Sequence, residues 1–117
     1  MQYLIILNDP PYGTELSYNG LRLALGLLQR TEETRLAVFL MGDAVAAGKA
    51  GQQTPGGYYN LERMLKGVVA RKGEVLLCGS CMDARGITES ELVEGCCRST
   101  LDQLAERTAA ADKVLVF

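Results

Sequence analysis

Two thiols three residues apart, at the end of an apolar run, are the residues best placed to do chemistry in this chain. Val75-Leu76-Leu77 reads as a buried strand that ends at Cys78. Gly79 and Ser80 make a turn or helix start, Cys81 follows, and Met82-Asp83-Ala84 leads to the pair Arg85-Gly86. The thiolate is the reactive form of cysteine. Unpaired N–H groups at a helix start, and the guanidinium of Arg85, both favour that anion. The plainer alternative makes Cys78 a small core residue and Cys81 a loop residue, because free cysteine is often buried and inert.

The rest of the composition narrows the chemistry. Histidine is absent, so Ser-His-Asp triads, Cys-His pairs and histidine metal ligands are all excluded within the chain. A net charge of −2 with no Lys/Arg cluster argues against nucleic acid as a partner. No basic amphipathic face points to a membrane surface. The opening Met1-Gln2-Tyr3 followed by Leu4 to Leu7 is too short to span a bilayer and lacks the pattern of a signal peptide. The expected location is therefore the reducing cytoplasm, where a C-x-x-C pair means redox or sulfur chemistry, or a metal, rather than a structural disulfide. Cys96 and Cys97 are neighbours, and on a strand they point to opposite faces. A zinc site built from all four cysteines is therefore not expected, since such sites use two spaced pairs. No cofactor and no metal are expected.

The elements that must position the thiols follow from hydrophobic patterning. The 117 residues make a single domain, 1–117. Apolar runs at Leu4–Leu7, Leu36–Met41, Val75–Cys78 and Val114–Phe117 do not alternate with polar residues, which predicts strands buried on both faces of a parallel sheet. A short fifth strand is read near Gly95-Cys96-Cys97-Arg98. Between the strands, Leu61, Met64, Leu65 and Val68, and then Leu101, Leu104, Ala105 and Thr108, follow helical spacing. Ser99 with Asp102 resembles a capping box for a helix starting at Thr100. Glu15–Arg30 is helical too, with an apolar stripe wider than one sheet face needs. Strand–helix alternation predicts right-handed crossovers and a three-layer α/β/α domain with a five-stranded, mostly parallel sheet.

In such a sheet, ligands bind at the carboxyl ends of the strands. The segment after the first strand is Asn8-Asp9-Pro10-Pro11-Tyr12-Gly13, where Tyr12 can cover a pocket or simply pack in the turn. After the second comes Gly42-Asp43-Ala44-Val45, where Asp43 either caps a short helix or joins the site. The stretch Lys49–Asn60, rich in Gly and Gln, reads as a mobile loop and a candidate lid.

Taken in order, several stretches resemble the DsrE/DsrF-like family of small sulfur-relay proteins, and particularly its YchN-like branch. They are Pro11-Tyr12-Gly13-Thr14-Glu15, Leu21-Arg22-Leu23-Ala24, Phe39-Leu40-Met41-Gly42-Asp43-Ala44-Val45, Gly51-Gln52, Gly57-Tyr58-Tyr59-Asn60-Leu61, Cys78 through Ile87, and Ala111 through Phe117. The resemblance implies a five-stranded parallel sheet between helices and assembly into homo-trimers or homo-hexamers. It also implies a cysteine at the Cys78 position that carries sulfur as a persulfide between donor and acceptor proteins, with Cys81 as the second thiol of the YchN-like branch. On that reading Arg85 and local backbone N–H groups hold the persulfide anion, Asp43 and Tyr12 shape the pocket, and Gly79 and Gly86 belong to its binding motif. Two rival classes stay open. One is a dithiol reductase using Cys78 and Cys81, although the cis-proline of thioredoxin-like proteins has no evident counterpart. The other is a non-catalytic oligomeric scaffold or small-ligand-binding protein.

Overall fold

The structure, a computed structural model, describes residues 1–117. The apolar runs form the strands β1 (Gln2–Leu7), β2 (Arg35–Leu40), β3 (Glu74–Cys78) and β5 (Lys113–Val116), and the fifth strand, β4, spans Cys96–Ser99. All pair in parallel, in the order β4-β3-β2-β1-β5. The sheet is thus wholly parallel. The helices are α1 (Leu16–Arg30), α2 (Leu61–Ala70), α3 (Gly79–Ala84) and α4 (Leu101–Ala110), with a 3-10 helix at Gly42–Gly48.

The strand order dictates the layering. The steps from β1 to β2, β3 and β4 all run the same way across the sheet, and right-handed crossovers put their connections on one face. Leu21 and Ala24 of α1, Leu61, Leu65 and Val68 of α2, and Val45 of the 3-10 helix pack there. They meet Ile5, Leu7, Val38, Leu40, Val75 and Leu77 from alternate strand positions. The single return step, from β4 back to β5 at the far edge, goes the other way and leaves α4 alone on the opposite face. There Leu104 covers Leu4, Ala37, Phe39 and Leu76. One face has a thick apolar layer, the other a thin one.

β2, in the middle, is buried from Leu36 to Leu40, as an unbroken apolar run requires. β5 departs from the expectation of burial on both faces. It is an edge strand, and Val114 and Val116 are exposed. The wide stripe of α1 divides likewise: Leu21 is buried, Leu25, Leu27 and Leu28 are half-buried, and Leu16 and Leu23 are exposed. Close helix–sheet contact fixes Gly20, where a Cβ would sit 2.5 Å from Leu7 Cδ2 and 3.1 Å from Phe117 Cδ1.

Two local expectations shift. The α4 cap is Thr100, whose hydroxyl accepts from Gln103 N, one residue later than the Ser99–Asp102 box. Ser99 is free to bond the Gln103 side chain instead. The Lys49–Asn60 segment is not free. The Gln52 amide donates to Ala47 O and Lys49 O at 2.7 and 2.8 Å, and Glu62 Oε1 accepts from Gly51 N and Gln52 N at 2.9 Å each. Asn60 caps α2 through Arg63 N and donates to Gln52 O. Bonds from side chain to backbone hold it down, and composition alone does not reveal them.

Candidate functional site

Cys78 is the last residue of β3 and the N-cap of α3. The strand ends there because Gly79 turns the chain directly into a helix, so the thiol sits where a covered strand reaches the sheet edge. Its Sγ accepts from Cys81 N at 3.4 Å and contacts Ser80 Oγ at 3.3 Å. Partial burial pushes the Cys78 thiol up, but hydrogen bonds from the side chains and backbone of Cys81 and Ser80 outweigh it and hold it below the ordinary thiol range. Cys81 is the opposite case. Burial and the neighbouring Cys78 push it up, against an opposing N–H from Gly42 and the charge of Arg85. The pair therefore has unequal members: Cys78 is the one that ionises first, and Cys81 donates to it.

A cavity of about 430 Å³ opens beside Cys78. Phe39, Met41 and Leu101 give it apolar walls, and Arg98, Ser99 and Thr100 a polar rim. Phe39 is fully buried while Leu101 is 72% exposed, so the apolar lining runs from the core out to solvent.

The residues singled out in the sequence divide into two groups. Asp43 does not cap the 3-10 helix. The cap position is Met41, and the carboxylate of Asp43 instead accepts from Arg85 Nη2 at 2.8 Å and Nε at 3.0 Å. Arg85 also donates to Cys81 O at 3.0 Å. These two residues thus brace the Cys81 side of the motif, and Gly86 closes it in the left-handed conformation, φ 67°. Tyr12 does not reach the Cys78 cavity. Its hydroxyl is engaged by Gln52 Oε1 and by Leu61 N, because the first loop packs against the Gly51–Asn60 segment rather than across β3. Cys96 faces the thick side, where burial and then Cys97 push its thiol up to about 12. Cys97 lies exposed on the other face.

Gly79 acquires a clear role through a residue that sequence reasoning passed over. The guanidinium of Arg98 lies over its Cα, so that a Cβ there would come 2.7 Å from Nε and 2.8 Å from Cζ. Arg98 is held in this position by Asp83, with Nη1 to Oδ1 and Nη2 to Oδ2 both at 2.8 Å. The only sequence signal was a weak strand around Cys96-Cys97. Arg98 becomes a neighbour of the motif once β4 pairs beside β3, with Arg98 opposite Leu77 and Ser99 opposite Cys78.

A wholly parallel five-stranded α/β/α sheet, with a half-buried cysteine where the third strand passes into a short helix, defines a distinct class of small domain. The chain belongs to the DsrE/DsrF-like family, whose model matches residues 1–117. It is 45% identical over 114 residues to the protein YchN of Escherichia coli, covering 97% of each chain. The crystal structure of that E. coli protein superposes with a TM-score of 0.93 at 44% identity over the full length of both. An uncharacterized protein of Methanopyrus kandleri is 34% identical over 113 residues, 97% of this chain and 91% of its own. A protein of unknown function from Methanobacterium thermoautotrophicum shares the fold at a TM-score of 0.78 and 13% identity.

Proposed function

We propose that this protein carries sulfur between partner proteins as a persulfide on Cys78. The observation that carries this reading is the asymmetry of the two thiols at the mouth of an open cavity: Cys78 is favoured as the anion and Cys81 is held as its hydrogen-bond donor. In the uptake step the Cys78 thiolate attacks the terminal sulfur of a donor persulfide. A Cys78–sulfur bond forms, the donor S–S bond breaks, and the electron pair leaves on the donor as its thiolate. Delivery is the same exchange onto an acceptor thiolate, which regenerates Cys78. The reading extends to a cytoplasmic homo-trimer or homo-hexamer serving a donor and an acceptor protein. The exposed apolar residues Leu101, Val114 and Val116 are consistent with surfaces that meet other chains.

The test is incubation with a persulfide donor followed by intact-mass analysis. One added sulfur is expected on the wild type and none on Cys78→Ser. Loading that survives the substitution rejects the assignment.

The unequal pair also favours a second reading, a dithiol that cycles through a Cys78–Cys81 disulfide. Attack of Cys81 on the inner sulfur of the persulfide would form that disulfide and expel sulfide. Turnover of a disulfide substrate without sulfur transfer would favour a reductase over a carrier.

A further inference from the structure

We propose that Arg98 is the cation that holds negatively charged sulfur at position 78, with Asp83 as its positioning residue and the bare Cα of Gly79 as the gap that lets the guanidinium in. The inference rests on the sulfur-carrier reading for its substrate and on geometry for its residues.

Three observations converge. Arg98 and Cys78 line the same cavity. The guanidinium occupies the space a side chain at residue 79 would need. Finally, both terminal nitrogens are bound by Asp83 in a two-pronged pair, a geometry that fixes the plane of the group as well as its position. The other nearby cation, Arg85, stands on the Cys81 side of the motif, bound to Asp43 and to the Cys81 carbonyl, and does not line this cavity. The charged and titratable groups around Cys78 and Arg98 are Cys81 and Asp83 on α3, Arg98 itself on β4, Glu89 in the segment that precedes β4, and the Arg85–Asp43 pair behind Cys81.

This arrangement matters most after loading. A persulfide is a stronger acid than a thiol, so the loaded sulfur is an anion at neutral pH, and it extends one bond length further into the cavity than Sγ. A fixed guanidinium on the polar rim offers it N–H donors. Phe39 and Met41 wall the inner side of the cavity, and Arg98 stands at its open rim. Arg98 thereby holds the outer sulfur until an acceptor thiolate arrives.

Two readouts test this on the full chain, in wild type, Arg98→Ala, Arg98→Lys and Asp83→Asn. Arg107→Ala, which removes a surface pair with Glu74, controls for loss of a cation, and circular dichroism controls for folding. The first readout is the pH profile of Cys78 alkylation by iodoacetamide in unloaded protein, resolved by peptide mapping. Arg98→Ala is expected to slow alkylation about three- to tenfold at pH 7, because loss of the cation leaves less thiolate. Arg98→Lys should restore most of that rate, and Asp83→Asn should not slow it, since it removes a repelling anion. The second readout is the lifetime of the Cys78 persulfide after loading with sodium polysulfide, followed by intact mass. It should shorten in Arg98→Ala, and also in Asp83→Asn, where the charge remains but its anchor is lost. An Arg98→Ala protein that matches wild type in both readouts overturns the proposal. So does an Asp83→Asn protein with a lengthened persulfide lifetime, since that assigns Asp83 a purely repulsive role. Failure of wild type to load sulfur overturns the carrier reading instead, and the alkylation profile alone then decides whether Arg98 holds the anion.

Discussion

Cys81 turns its sulfur toward the start of the 3-10 helix, where the Gly42 N–H donates to it at 3.2 Å. The second thiol thereby ties the turn after β2 to the helix after β3, while its own backbone N–H supports Cys78. The residue is part of the scaffold of the reactive thiol as well as its chemical partner.

Removing that support has a directional effect. Cys81→Ala deletes the side-chain donor that favours the Cys78 anion, so alkylation of Cys78 at pH 7 is expected to fall by about threefold or more, the thiol being a weak donor. Cys81→Ser keeps a donor and should retain most of the rate. Equal rates in the two variants would remove Cys81 from the account of Cys78 reactivity.

The three half-buried thiols should separate along the pH axis. Below its midpoint each thiol is protonated and unreactive, so a lowered value means reactivity at lower pH. Cys78 is expected to alkylate with a midpoint below the ordinary 9.0 and Cys81 above it, with Cys96 inert until near pH 12. Peptide-resolved alkylation measured from pH 6 to 10 gives the order directly.

Glu62 lies outside the thiol cavity and fastens the backbone at Gly51 and Gln52. Its carboxylate accepts from the backbone of Gln52 and Gly51 and pairs with Lys66 at 3.2 Å. The Gln52 N–H is the largest influence, and together these bonds hold the carboxyl below its ordinary 4.5 against the opposing effect of burial. The folded state thus binds its proton less readily than the unfolded chain. The stabilisation is complete above the unfolded value and is lost as the pH falls from about 5 through the lower folded value. Glu62→Gln is expected to cost about 1–3 kcal/mol at pH 7, with the difference from wild type shrinking in acid. Chemical denaturation at pH 7 and pH 3 measures both, and amide exchange at Gly51 and Gln52 should accelerate in the variant.

Two glycines discriminate packing from propensity. Gly20→Ala gains roughly 1 kcal/mol of helix propensity but drives a Cβ to 2.5 Å from Leu7 Cδ2, an overpacking that costs about 1–3 kcal/mol. A small net loss is expected. Gly48→Ala meets Leu77 Cδ2 at the same 2.5 Å, outside any α-helix, and so has no such offset. It should be the more destabilising of the two in urea melts.

What the sequence made legible follows the range of the interactions. Strand positions and parallel pairing could be read from Leu4–Leu7, Leu36–Met41 and Val75–Cys78 because burial on both faces leaves a local signature. The thiol motif was equally visible, since Cys78, Cys81 and Arg85 are neighbours in the chain. What escaped was everything set by strand order. Arg98 reaches the motif only because β4 lies beside β3. Tyr12 and Asp43, both near strand ends, were drawn in different directions by partners distant in sequence, Gln52 and Arg85. The Lys49–Asn60 segment read as loose because glutamine and glycine are common in loops, whereas one glutamine amide and one glutamate carboxylate fasten it.

The lone helix on the thin side, α4, has a mechanical consequence. It is the only covalent strap between β4 and β5, and those are the two outermost strands of the sheet. The lip of the thiol cavity at Arg98 and Ser99 and the far border of the sheet at Lys113 are therefore joined by one short run of chain, so opposite borders of the molecule share a single tie.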